Sequence, residues 1–179
     1  MHPLVATTLL SGIISFALVS CERTANVKQP KAYNKDGIQF QYPDNWKVTA
    51  DSQNESMRHL VIETPGEAIL IIQVFTADDS VPMSDFVREF SSNAQQKLPR
   101  FATSTASTFG EPEERDGYKS VSEQFSIKAV GEGVPHTRIY KQKRFGSKMI
   151  YVVSQVASEE DLVVAGFDQI TSSLQYDSR

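Results

Sequence analysis

Apolar and polar residues alternate through Gly37-Ile38-Gln39-Phe40-Gln41-Tyr42, which predicts a strand with Ile38, Phe40 and Tyr42 toward a core. Pro43-Asp44-Asn45 then reads as a tight turn. Proline presets φ at the first turn position, and asparagine tolerates the left-handed conformation at the last. Trp46-Lys47-Val48 is expected to begin the returning strand, with Trp46 as a core plug rather than a ligand platform. Residues 58–63 predict a short strand, and Pro65-Gly66 a turn. Ala68-Ile69-Leu70-Ile71-Ile72-Gln73-Val74-Phe75 is apolar on both faces for most of its length, the pattern of a central strand covered on both sides.

The period then changes. Phe86, Phe90, Ala94 and Leu98 recur at four-residue steps with Val87 beside them, one buried stripe on a surface helix. Ser84 is the expected N-cap, Asp85 places negative charge in the first turn, and Pro99 ends the helix. Four β segments follow, at 101–109, 117–130, 136–145 and 148–156. In the second, Val121, Phe125, Ile127 and Ala129 share one face; Ser120, Ser122, Gln124, Ser126 and Lys128 share the other. Glu123 interrupts the apolar face, which suggests a strand edge or a bulge. Segment 136–145 is polar on much of both faces, as a long exposed strand would be. Ser158-Glu159-Glu160-Asp161 opens a last helix as a near capping box, with Leu162, Gly166, Ile170 and Leu174 as its buried stripe and Val163 and Phe167 alongside. Two main helices against a mainly antiparallel sheet of seven or eight strands make an α+β domain.

The first 20 residues belong to none of this. Residues 4–20 are apolar or small, too short and too weakly hydrophobic for a membrane span but the right length for a signal-peptide core. They end at Leu18-Val19-Ser20-Cys21, which looks like the lipobox of a bacterial lipoprotein. The resemblance implies cleavage before Cys21, acylation of its thiol (palmitate among the chains) and often of the new amino group. Two or three chains at about 0.8 kcal/mol per buried methylene hold a protein on a bilayer almost permanently. Cys21 is therefore the expected lipidation site, and the bilayer is the first expected partner. The expected place of work is a bacterial membrane surface facing the periplasm or the cell exterior. The organisation follows as a signal peptide at 1–20, a lipidated polar tether at 21–34 and a single globular domain at 35–179.

Charge and cysteine content narrow the chemistry. Residues 1–20 contain no Lys, Arg, Asp or Glu, so the mature chain keeps the net charge of −4. A mildly acidic domain with scattered cations argues against nucleic acid as a partner. Cys21 is the only cysteine, so its lipidation leaves no thiol for a disulfide, a thiolate metal site or a nucleophile.

The opening Gly37-Ile38-Gln39-Phe40-Gln41-Tyr42-Pro43-Asp44-Asn45-Trp46 resembles that of the PsbP-like and DcrB-like lipoproteins: a glycine, alternating apolar residues, Tyr-Pro, two polar residues and Trp. The order of elements and a lipobox followed by a short tether also fit. The resemblance spans most of 33–176, but only the ten-residue opening is specific. It implies an α/β/α sandwich around an antiparallel sheet, used as a binding scaffold by photosystem II extrinsic proteins, assembly factors and a nuclear Ran-binding factor. It carries no chemistry.

Candidate constellations are sparse. His59 and Glu63 are two alternations apart on one strand, short of the three or four ligands zinc needs. Asp78-Asp79 lacks the EF-hand spacing, and Glu111, Glu113, Glu114 and Asp116 around Pro112 read as an acidic turn. No Gly-x-Ser-x-Gly elbow, P-loop or dinucleotide spacing occurs. The expectation is a protein that is not an enzyme and has no metal or cofactor. One surface invites a functional assignment: Arg138, Tyr140 and Arg144 would share one strand face, with Lys141 and Lys143 on the other. The first set is the candidate partner-binding face for an acidic protein or an anionic head group. The competing explanation is charge that protects an edge strand from aggregation. The expected function is a membrane-anchored, non-catalytic binding or assembly module with a protein partner, the alternative a small-ligand or metal carrier.

Overall fold

The structure, a computed structural model, describes residues 23–129, 131–157 and 160–177. In chain order its elements are β1 (Lys31–Lys35), β2 (Ile38–Tyr42), β3 (Lys47–Gln53), β4 (Met57–Glu63), β5 (Ile69–Thr76) and α1 (Met83–Gln96). Then come β6 (Thr103–Ser104), β7 (Thr108–Phe109), β8 (Glu113–Arg115), β9 (Tyr118–Lys128), β10 (Val134–Phe145), β11 (Lys148–Val156), α2 (Glu160–Ser173) and β12 (Gln175–Tyr176). A nine-stranded sheet runs β3-β4-β5-β11-β10-β9-β6, with β7 and β8 also paired to β9; a three-stranded sheet runs β1-β2-β12. All pairings are antiparallel. The excess over seven or eight strands comes from the two-to-five-residue pieces β1, β6, β7, β8 and β12, too short for an alternation to register.

The two helices lie on opposite faces of the large sheet. On one face Met83, Phe86 and Val87 of α1 pack on Val121, Tyr140, Tyr151 and Val153, with Phe86 stacked on Tyr151 at 3.9 Å between ring centres. On the other, Val163, Phe167 and Ile170 of α2, with Leu174 just after it, join Ile38 and Phe40 of β2 over Leu60, Ile62, Leu70, Ile72, Ile150 and Val152. The α/β/α layering follows from strand alternation: β5 and β11 carry apolar side chains on both faces, so both faces need cover. Trp46 is 1 % exposed and meets Phe167 edge-on at 5.3 Å. The α1 stripe is present, but the helix begins at Met83 after Pro82, with no side-chain cap, and Ser84 is already inside it. Ser158 and Glu159 of the expected capping box lie outside the described residues.

Three expectations are corrected. The turn at Pro43-Asp44-Asn45 forms, with Trp46 N donating to Pro43 O at 3.0 Å, but it closes no hairpin. β2 pairs with β1 and β12, and β3 with β4, so the turn is the corner where the chain leaves one sheet for the other. Segment 136–145 is no exposed edge: β10 is paired along its length to β9 and β11. Residues 24–34 are no tether either. Ala25 is buried and donates to Leu162 O at 2.8 Å, and β1 pairs with β2 from Lys31↔Tyr42 to Lys35↔Ile38. Arg58, buried on β4, fastens that strand: it donates to Asp51 at 2.9 and 3.0 Å, to Tyr33 Oη at 2.6 Å and to Lys35 O at 3.0 Å. The globular fold therefore already includes Thr24 and Ala25, ahead of residue 35.

Candidate functional site

The basic strand is the place to start. Arg138 is 4 % exposed and Tyr140 0 %, so the face they share points into the protein beneath α1 and is not a docking surface. The alternation put them together correctly; their charge and hydroxyl suggested the wrong side. The reason is Glu123, opposite Arg138 in the β9–β10 register and fully buried. Its Oε2 accepts from Arg138 Nη1 at 2.7 Å and Tyr140 Oη at 2.5 Å, and its Oε1 from Ser91 Oγ and Ser107 Oγ, each at 2.5 Å. Gln155 Oε1 accepts from Arg138 Nε at 3.0 Å and Nη2 at 2.6 Å, and Phe125 stacks under the guanidinium at 4.6 Å. Burial pushes the Glu123 carboxyl up, but the hydrogen bonds from Ser107, Ser91 and Tyr140 and the Arg138 charge outweigh it and hold the group below its usual value. Every oxygen is satisfied, so the cluster fixes α1 and the β6–β7 edge onto β9 and β10. Arg144, the third residue of the set, stays exposed, and its Nε donates to Gly146 O at 3.0 Å.

The open surface lies on the opposite face. There α2 and β2 together cover β4, β5 and β11, and the cover stops short of β9 and β10. The uncovered strip forms a trough of ≈ 730 Å³ floored by Ser120, Ser122, Ile139 and Lys141. One wall is the C-terminal half of α2, with Asp168, Thr171 and Ser172; the other is the β7–β9 segment, with Gly110, Glu111, Glu113, Arg115 and Asp116. One end is fixed by Tyr118, whose hydroxyl donates to Thr171 O at 2.8 Å and is pushed up to about 12 by burial. Lys141 reaches Thr171 Oγ1 at 3.5 Å and Asp168 at 3.9 Å, and Lys143 sits over the Tyr118 ring at 4.7 Å. Gly110 lies against the floor for a steric reason, since a Cβ there would collide with Ser122 Oγ. The trough presents lysines beside carboxylates over a floor of small hydroxyls, an arrangement suited to a polar partner of mixed charge.

The sequence held part of this signal. The alternation of β9 assigned Ser120, Ser122, Gln124 and Ser126 to one face, and Lys141 and Lys143 to the non-candidate face of β10. The trough uses that second set. The remaining candidates stay apart. His59 Nδ1 is 3.2 Å from Gln73 Nε2, and burial, then the Lys97 charge, lowers its pKa. Glu111, Glu113, Glu114 and Asp116 are all exposed. Among the described residues no three His, Cys, Asp or Glu side chains gather where they could hold a metal ion, and no helix is long and apolar enough to cross a membrane. Cys21 lies outside the described residues.

No protein-family model matches the chain, and no curated protein does. Solved structures do. PsbP of the cyanobacterium Synechocystis is 19 % identical, with a TM-score of 0.51 over 83 % of this chain and 92 % of its own. The Ran-binding protein Mog1p of Saccharomyces cerevisiae is 8 % identical, with a TM-score of 0.51 over 83 % of this chain and 95 % of its own. The chain has the PsbP-like fold, as its opening motif predicts.

Proposed function

We propose that this protein is a lipid-anchored, non-catalytic binding module on an extracytoplasmic membrane surface, and that the trough between α2 and β8–β10 is where its partner docks. The observation that carries the reading is the uncovered strip itself. Ser120, Ser122, Ile139 and Lys141 form a floor that neither helix covers, in a sheet whose other broad surfaces are packed. Leu18-Val19-Ser20-Cys21 supports the anchor and the location. A Ran-binding protein with the same fold supports binding as a use to which the scaffold lends itself. A protein partner suits the trough because it is open and its lining alternates lysines with carboxylates.

A second reading, a small-ligand carrier, draws on the trough volume of ≈ 730 Å³, within the range of about 300–1,000 Å³ seen for ligand pockets. One experiment separates the two. With Cys21 acylated, Ser122→Cys is the only free thiol, and a thiol crosslinker is applied in the native cell. The binding reading expects one discrete protein adduct, lost in Ser122→Cys/Lys141→Glu and absent when the thiol is moved to Glu89 on the exposed side of α1. The carrier reading expects no adduct, and a co-purifying small molecule in native mass spectrometry that Ser122→Trp displaces. Neither result removes the trough as the site.

A further inference from the structure

The anchor and the fold are closer together in sequence than a tethered lipoprotein requires. Thr24 O accepts from Asn45 Nδ2 at 2.8 Å, Asn26 N donates to Asn45 Oδ1 at 3.0 Å, and Ala25 N donates to Leu162 O at 2.8 Å. Asp44 N donates to Asn26 O at 3.1 Å and Gln169 Nε2 to Val27 O at 3.1 Å. Residues 24–27 are thus clamped between the Pro43–Asn45 corner and α2, at Leu162 in its first turn and at Gln169 further along. From Thr24 back to Cys21 are three peptide units, which span at most about 11 Å. A flexible 21–34 segment would have reached roughly 20 Å and let the domain rotate freely. The head-group layer of one leaflet is itself about 5–8 Å deep.

Resting on the lipidation of Cys21, we propose that the domain sits flush on the bilayer, with the 43–45 corner and the N-terminal turn of α2 against the lipid head groups. Exposed Arg23 and Lys28 flank the clamp and suit an anionic surface, while Lys31 is occupied by Asp44 at 3.1 Å. The seating fixes orientation. β3 leaves the corner at Lys47 and carries the sheet about 20 Å away from it to the 54–56 turn. In register with that far end are Met57↔Phe75, Lys148↔Thr76 and Phe145↔Lys148, and the end of β10 that bears Lys143 and Phe145. The end of the trough lined by Asp116, Tyr118 and Lys143 belongs to the same end. The trough therefore reaches the side of the domain that faces away from the membrane.

The test uses the full lipidated chain in vesicles of phosphatidylcholine and phosphatidylglycerol that contain a head-group nitroxide lipid. A bimane is attached at Asp161→Cys, in the first turn of α2, or at Glu55→Cys, in the far turn. Flush seating predicts at least twofold stronger quenching at 161 than at 55. It also predicts that twelve Gly/Ser residues inserted between Glu22 and Arg23 bring 161 down to the level of 55. Equal quenching at the two positions, or no effect of the insertion, overturns the seating. The N-terminal peptide of the same sample is weighed: an acylated Cys21 with equal quenching overturns the seating alone, and an unacylated Cys21 overturns the anchor and the seating together.

Discussion

Glu123 and Arg138 face one another across β9 and β10 and meet at 2.7 Å in the interior, beneath α1. The pair occupies what strand alternation marks as an apolar face, and it is tolerated because Ser91, Ser107, Tyr140 and Gln155 complete its hydrogen bonds. Removing one partner leaves a buried, uncompensated charge. Arg138→Ala should therefore cost about 3–5 kcal/mol. Glu123→Gln, which keeps the shape and one acceptor, should cost less. Urea unfolding followed by Trp46 fluorescence gives both values; equal and small losses would mean that the cluster is not what holds α1 to the sheet.

Two ion-paired carboxylates in separate clusters set an acid limit. Glu123 and Asp51 are both held below the usual carboxylate range, Asp51 chiefly by the Arg58 hydrogen bonds against the opposing effect of burial. A depressed folded pKa gives stability that is complete above the unfolded value and lost as pH falls through the folded one. Stability should thus decline as pH drops below about 4.5, the ordinary glutamate value, and continue to decline below the normal carboxylate range. Glu123→Gln should flatten that decline. Unfolding midpoints from pH 7 to pH 2 check it, and a variant profile parallel to wild type would contradict it.

How much of this was legible in the sequence depends on the range of the interaction that decides each feature. The α1 and α2 stripes and the two-faced β5 were readable, because the periods of 3.6 and 2 are local. The phase of β10 was readable too: Arg138 and Tyr140 do share a face. Which face is inside was not, because the answer lies in Glu123, on a neighbouring strand whose register the sequence does not show. The Pro43–Asn45 turn was legible as a turn, but not as a corner between sheets, since β2 is completed by β12 far along the chain, at Gln175↔Gln39 and Tyr176↔Ile38. The serine face of β9 was visible, yet nothing local says that α2 ends its cover before reaching it.

Gly166 leaves room for the Trp46 ring at the corner. A Cβ at Gly166 would stand 2.5 Å from Trp46 Cη2 and Cζ2 and 2.8 Å from Pro43 Cγ, both parts of rigid rings. Gly166→Ala should cost about 1–3 kcal/mol by overpacking, although alanine favours a helix. Trp46→Ala should cost about 3–5 kcal/mol. Thermal unfolding of both variants tests this, and a stabilised Gly166→Ala would show that α2 does not press on the corner.

Arg58 ties β1 to β3 and β4 through Tyr33, Lys35 and Asp51. Arg58→Ala should release β1 first. Hydrogen exchange of the amides at 32–35 should rise at least tenfold while β5 and β11 stay protected. Uniform protection across the variant would place the hold on β1 elsewhere.

The anchor and the location rest on one covalent event. The decisive measurement is the mass of the N-terminal peptide from protein extracted from the native membrane. The account predicts that the mature chain begins at Cys21, with acyl chains on its thiol, and that Cys21→Ser abolishes both the cleavage and the modification. An intact Met1, or a Cys21 without lipid, would contradict it.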